Sequence, residues 1–297
     1  MTQKTECSDN RIPITGRTSL YGLLGSPVMH SLSPMMHNTS FQQLGIDAVY
    51  LCFDVTEKEL KETITGLRMA GIRGFNLTMP CKNRAAELMD ELDTTAALLG
   101  AVNTVRNENG KLTGFNTDGV GFMRSAREAG CRIEGKCMTV LGGGGAASAI
   151  CAQAAVDGAE KLFIFTRPES RFHQRTFTLV ENINRSTSCQ AILLDLKDTS
   201  MLRNALEQSI LLVNGTSVGM APNTENSLIE DPAFLPKGLT VADVIYNPRK
   251  TRFLQVAEAA GCPTFNGMYM LLYQGAEAFR IWTGQDMPVD LIKNRFL

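Results

Sequence analysis

The stretch TVLGGGGAASA, residues 139–149, decides how the chain is read. It is an apolar strand, four glycines and the start of an alanine-rich helix. In the spacing G-x-G-x-x-[GA], Gly142, Gly144 and Ala147 fall into place. The first glycine permits a tight turn, the second lets a diphosphate approach the backbone, and the small third residue lets helix and strand pack closely. The helix start then offers free N–H groups and the positive end of its dipole to phosphate. No G-K-[ST] follows, which disfavours a nucleoside-triphosphate loop. A further apolar strand about 20 residues on (161–165) supplies the context that the spacing alone lacks.

This loop begins nearly halfway along 297 residues, a length that suits two domains. Around it the chain alternates strand-like and helix-like runs. Residues 19–25, 48–55, 74–78 and 101–107 read as strands, and 34–44 and 82–92 as helices. Thr56 and Glu59 form a capping box for a helix ending near Gly71. The segment NENGKL turns into another short strand. In the second half MTVLG, KLFIF, QAILLD, SILLVNG and LTVADVIY are short unbroken apolar runs, as expected of strands covered on both faces. The closing segment from MLLYQGAEAFRIWTG reads as an apolar-striped helix and a short tail. Alternating elements of this kind imply an α/β fold of βαβ units with a mainly parallel sheet.

Composition excludes several classes. A hydrophobic content of 44% with 20% charged residues is ordinary for a folded domain. A net charge of −1 provides no basic field for nucleic acid. None of the eight cysteines forms a C-x-x-C pair, and no zinc spacing is present. The polar first ten residues read as a loose tail without a signal-peptide core, and no apolar run approaches a membrane span. A cytoplasmic protein with free thiols is expected.

The end of the strand at 161–165 reports on the cofactor. An acid there accepts from a ribose diol, whereas an arginine meets a 2′-phosphate. The sequence FTRPESRFHQR supplies Thr166, Arg167 and Glu169, so Arg167 argues for NADP and Glu169 for NAD, with Arg171 and Arg175 as extra charge or solvated surface. Both readings stand.

Four polar segments precede the glycine loop. In GSPVMHSLSPMMHN, Ser31 and Ser33 lead into Pro34 at a helix start, where hydroxyls either cap the helix or grip a carboxylate. In GFNLTMPCKN, Thr78 ends a strand and Lys82 starts a helix, against the preference of the dipole. In GAVNTV, Asn103 is a polar amide inside an apolar strand and needs a partner. In GFNTDGVG, Asp118 precedes a helical stretch, as an N-cap or as part of a site.

Together these segments resemble the shikimate and quinate/shikimate dehydrogenases. The likeness lies in SLSPMMHN, NLTMPCK, GAVNT, NTDGVG, GGGGAA, NGTSVGM, YNPRKT and MLLYQGA, in the family's order from Ser31 to Ala276. The resemblance implies an N-terminal substrate-binding and catalytic domain over residues 1–117, completed by 271–297, and an NAD(P)-binding Rossmann domain over 118–270. It implies reversible oxidation of shikimate, and of quinate in one branch, with NAD or NADP as cofactor. By this likeness Ser31 and Ser33 hold the substrate carboxylate with Tyr246 nearby, and Thr78, Asn103 and Gln274 bond ring hydroxyls. Lys82 and Asp118 flank the reacting hydroxyl, and Tyr50 touches substrate as in the quinate-using branch. Gly142, Gly144, Gly145 and Ala146 cradle the diphosphate, Thr166, Arg167 and Glu169 meet the adenosine ribose, and Gly267 lies by the nicotinamide.

Three positions depart from the pattern: Thr-Arg-Pro-Glu at 166–169, Gly215, and Tyr269 where members often carry glycine. His30 and His37 are expected to orient the serine loop and His173 to lie on the surface, with no metal. The expected partner is a small-molecule substrate, with neither nucleic acid nor membrane, and the working unit is a monomer or homodimer. A dehydrogenase for another cyclic hydroxy or amino acid, and a non-catalytic dinucleotide-binding regulator, remain open at this level.

Overall fold

The computed structural model of the chain describes residues 12–296; the expected N-terminal tail and Cys7 lie outside them. In the first half, β1 (Ser19–Gly25), α1 (Ser33–Leu44), β2 (Ala48–Asp54), α2 (Leu60–Met69) and β3 (Gly74–Leu77) alternate regularly. There follow α3 (Lys82–Ala86), β4 (Glu91–Leu92), α4 (Thr94–Leu99), β5 (Thr104–Glu108) and β6 (Lys111–Phe115). The strands form one sheet in the order β2-β1-β3-β5-β6-β4. β1, β2 and β3 run parallel, but β5 is antiparallel to β3 and β6, so this sheet is mixed. The hairpin between β5 and β6 turns on Asn109 and Gly110, both with positive φ, which suits an Asn-Gly turn.

The helix expected over residues 82–92 stops at Ala86. Helical propensity loses here to strand pairing. Asp90 accepts from the Leu112 amide at 2.7 Å, and Glu91 and Leu92 pair with Thr113 and Gly114. Asp93 then accepts from Ala96 N at 2.7 Å and starts α4, which the sequence reading did not foresee. The Thr56–Glu59 box forms in part. The Glu59 carboxylate accepts from the Thr56 amide and hydroxyl, and the helix begins one residue after Glu59.

The second half holds α5 (Asp118–Glu128), β7 (Cys137–Leu141), α6 (Gly145–Val156), β8 (Lys161–Thr166), α7 (His173–Ser186) and β9 (Gln190–Asp195). It continues with α8 (Thr199–Gln208), β10 (Ser209–Asn214), a 3₁₀ turn, β11 (Thr240–Asp243), α9 (Arg252–Ala259) and β12 (Thr264–Phe265). These strands form a second sheet, β12-β11-β10-β7-β8-β9, parallel throughout. Its two faces bury separate apolar clusters, one around α6 and one around α8 and α9. The strand order reverses at β7, and ligands of such sheets bind at that reversal, beyond the carboxyl ends of the strands.

The chain then returns through α10 (Met268–Thr283) and α11 (Val289–Phe296), so the expected tail carries a further helix. α10 packs its aromatic face on the first sheet, where Phe279 and Trp282 meet Tyr21, Phe41 and Tyr50. α5 links the halves by wedging between α6 and α10. A Cβ on Gly119 would lie 2.4 Å from Ala149 O, and one on Gly121 would lie 2.6 Å from Gln274 N. Only glycine permits that approach, and it fixes Asp118, at the start of α5, relative to both sheets. Among the described residues no helix is long and apolar enough to cross a membrane.

Candidate active site

Two cavities meet between the halves. The smaller, about 580 Å³, is lined from the first half by Ser31, Ser33, Thr78, Lys82 and Asn103, and from the second by Asp118, Gly145, Ala146, Tyr246, Gly267 and Gln274. The larger, about 1030 Å³, runs from Gly142–Ala146 past Thr166, Arg167 and Glu169 to the loops after β10 and β11. Gly145, Ala146, Phe172, Val244 and Tyr246 belong to both.

Lys82 Nζ donates to Asp118 Oδ2 at 2.6 Å, with side-chain exposures of 25% and 15%. Lys82 is placed at the first residue of α3 by the Thr78–Cys81 turn. Asp118 opens α5 but caps nothing, because its carboxylate is spent on Lys82 and Asn103. Of the two roles open for it in sequence, the site role is the one the geometry supports. Asn103 explains the rest. It lies just before β5 rather than within the strand, and is 2% exposed. Its amide donates to Asp118 Oδ1 at 2.8 Å and Thr117 Oγ1 at 3.0 Å, while its carbonyl accepts from Thr117 N at 2.8 Å. Both amide hydrogens are therefore engaged within the protein, and Asn103, on the cavity wall, orients Asp118.

The network extends inward. Asn76, which the sequence reading passed over, donates to Thr104 Oγ1 at 2.9 Å and accepts from Tyr50 OH at 2.8 Å. The signal that would have found it is the one that picked Asn103: an amide inside an apolar strand. Tyr50 was expected at the substrate. It is fully buried, outside the cavity wall, and burial pushes its phenol well above the ordinary range. Tyr50 thus supports Asn76 and the cavity-wall residue Ser33 from behind. His37, expected to orient the serine loop, has neither ring nitrogen bonded and stacks on Tyr50 at 4.5 Å. Burial lowers its pKa to about 3, so it acts as a core ring. His30 does lie on the cavity wall, exposed. The Ser31 hydroxyl accepts from Ser33 N at 3.2 Å and shapes the turn into α1, and Gln274 is held by a bond to Leu271 O.

The glycine loop fits a dinucleotide. Gly142 has φ of +109°, and a Cβ there would lie 2.7 Å from Thr216 Cγ2. A Cβ on Gly145 would meet nothing within 4 Å and would project into the space a diphosphate needs. The first turn of α6 faces that space with N–H groups that have no intrahelical partner. The opposite wall is rigid because Asn214 and Asp243, buried at the ends of β10 and β11, bond each other and the loops beyond them. Burial raises the Asp243 carboxyl above its ordinary range. Gly267 caps α10 so close to Val244 O that a Cβ would lie 2.0 Å away. Thr166 ends β8, buried, with its hydroxyl 3.0 Å from His173 Nδ1; His173 is half-buried there and is not the surface residue expected. Tyr269 turns outward, under Lys293 Nζ at 4.8 Å, and lines neither cavity.

A dinucleotide loop facing a lysine–aspartate pair across one cleft defines a two-domain NAD(P)-dependent dehydrogenase of the Rossmann type. The comparisons with known proteins narrow that class. Residues 23–105 match the shikimate dehydrogenase substrate binding domain, and residues 267–295 the shikimate 5′-dehydrogenase C-terminal domain. The chain is 49% identical to a shikimate dehydrogenase (NADP(+)) of Listeria innocua over 280 residues, covering 94% of this chain and 96% of that one. It is 41% identical to an Escherichia coli quinate/shikimate dehydrogenase, covering 94% and 97%. Its structure matches the shikimate 5-dehydrogenase of Listeria monocytogenes in complex with shikimate and NAD, with a TM-score of 0.93 at 48% identity, covering 96% and 98%. The chain belongs to the shikimate dehydrogenase family.

Proposed function

We propose that this protein catalyses the reversible NAD(P)-dependent oxidation of shikimate to 3-dehydroshikimate, and of quinate to 3-dehydroquinate. The observation that carries this reading is the Lys82–Asp118 pair, held on the wall of the smaller cavity, which shares Gly145 and Ala146 of the glycine loop with the larger. The substrate carboxylate sits against Ser31 and Ser33 with Tyr246 at the rim, and the ring hydroxyls face Thr78 and Gln274. Lys82 takes the proton of the reacting hydroxyl in oxidation and returns it to the carbonyl oxygen in reduction. Asp118 aims the Lys82 amine and compensates its charge, and Asn103 fixes Asp118. The bound dinucleotide supplies the hydride acceptor or donor. Gly142, Gly144, Gly145 and Ala146 hold its diphosphate, Thr166, Arg167 and Glu169 its adenosine ribose, and Gly267 leaves room for its nicotinamide end. The substrate domain comprises residues 1–117 and 271–297 and the dinucleotide domain 118–270. The working unit is a cytoplasmic monomer or homodimer.

Initial rates with shikimate and quinate, each against NAD⁺ and NADP⁺, test the proposal. Oxidation of shikimate with either dinucleotide is the expected result, and comparable quinate rates place the chain in the quinate/shikimate branch. No rate in any of the four combinations, with the protein folded, rejects the substrate assignment.

A further inference from the structure

At the adenosine end of the larger cavity, Glu169 of the wall is paired with Lys197, a residue outside the cofactor motif. Arg167 and Glu169 sit on the loop after β8, and Lys197 on the turn after β9. The backbone ties the two together. Asp195 is in register with Thr166, and Leu196 N donates to Thr166 O at 3.0 Å. The Lys197 amide is fixed in turn by Asp195 Oδ1 at 2.9 Å. Lys197 is thereby delivered beside Glu169, and its Nζ lies 2.8 Å from Glu169 Oε1. Among the described residues the Arg167 side chain has no ion pair or hydrogen bond of its own. Arg171 lies over the Phe172 ring at 4.7 Å, on the same wall. Three cations thus stand against the carboxylates of Glu169 and Asp195.

In sequence, Arg167 and Glu169 point to different cofactors. We propose that Lys197 decides between them and is a specificity-determining residue for the dinucleotide. By pairing with Glu169 Oε1, it offsets the charge of the carboxylate and takes one of the two oxygens that a ribose diol would use. It also sets an ammonium beside Arg167, where a 2′-phosphate gains charge-assisted hydrogen bonds. The chain therefore favours the 2′-phosphorylated dinucleotide despite its acidic residue at position 169. An exposed ion pair of this kind adds little to folding stability. Selectivity is a difference between two ligands, however, and the ligands here differ by a phosphate placed beside that charge.

The inference rests on the dehydrogenase reading, and the test separates the two. Dissociation constants for NADP⁺ and NAD⁺ are measured by titration calorimetry on the full chain, without substrate and at one ionic strength, for wild type, Lys197→Met, Glu169→Gln and the double variant. Wild type binds NADP⁺ more tightly. Lys197→Met lowers the NADP⁺ preference about tenfold, the loss of one charge-assisted contact. Glu169→Gln weakens NAD⁺ several-fold more in the Lys197→Met background than alone, because Lys197 already draws on the carboxylate, and equal effects in the two backgrounds overturn the coupling. A wild-type preference for NAD⁺, or a ratio in Lys197→Met within about twofold of wild type, overturns the role of Lys197. Failure of folded wild type to bind either dinucleotide overturns the dehydrogenase reading itself.

Discussion

At the substrate end of the cleft, Lys82 and Asp118 are mostly buried and joined by a 2.6 Å bond, with a chain of amides and hydroxyls behind them reaching Tyr50. At the adenosine end, Glu169 and Lys197 are 57% and 66% exposed, on loops, and the diphosphate cradle between the two ends is bare backbone. The difference follows from what each end does. Proton transfer needs a side chain held in one geometry, and a low-dielectric network supplies it. Diphosphate recognition needs only N–H groups and space, which glycine provides. The ribose contact is left to exposed charges, where small changes in sequence alter preference without disturbing the chemistry.

The sharpest way to break this comparison is at Lys82. Lys82→Ala should lower turnover by about 10²–10⁴ while substrate affinity stays near wild type, read from kcat and KM together. Near wild-type turnover would remove Lys82 from the chemistry. At the cradle, Gly142→Val combines a positive φ with a side chain driven into Thr216. It should weaken NAD⁺ and NADP⁺ alike by tenfold or more, by roughly 1.4 kcal/mol or above, with shikimate binding spared. Selective loss of one dinucleotide would show that the loop reads the ribose as well.

The buried backing of the substrate end has its own signature. His37 titrates near 3 when folded and near 6.5 when unfolded, so below about pH 6.5 the unfolded chain binds the extra proton and stability falls with pH. His37→Phe should remove about 2–3 kcal/mol of that loss at pH 4.5, measured as a smaller drop in unfolding free energy between pH 7 and 4.5. An unchanged acid limb would mean that the ring is not held neutral. The smallest effect is expected at Ser33→Ala, which should raise KM for shikimate by about tenfold with kcat little altered, the loss of one hydrogen bond to a charged group. A fall in kcat at constant KM would contradict the carboxylate grip.

The alternation of apolar runs, the Asn-Gly hairpin, the glycine loop and the polar residues at strand ends were all legible along the chain, because each is a local rule of backbone or burial. The ordered family motifs brought Lys82, Asp118, Ser31, Ser33 and Gln274 to one site on paper, and the fold places them on one cavity. What was misread was non-local. The helix beyond Ala86 gave way to pairing with β6, 20 or more residues away. His37 is expected to orient the serine loop and Tyr50 to touch substrate, yet α1 and β2 turn both rings into a core formed with α10, more than 200 residues later in the chain, and Tyr50 reaches the site only through Ser33 and Asn76. Asn103 does line the cavity, but its amide bonds to Thr117 and Asp118 come from a segment whose proximity the local sequence does not show. Local sequence thus determined which groups are present and what each is able to do. Only the tertiary structure decided which of them spend hydrogen bonds and charge on one another, as Asn103 does on Asp118 and Lys197 on Glu169, because each group has a fixed number of donors and acceptors and a neighbour's share is lost to a ligand.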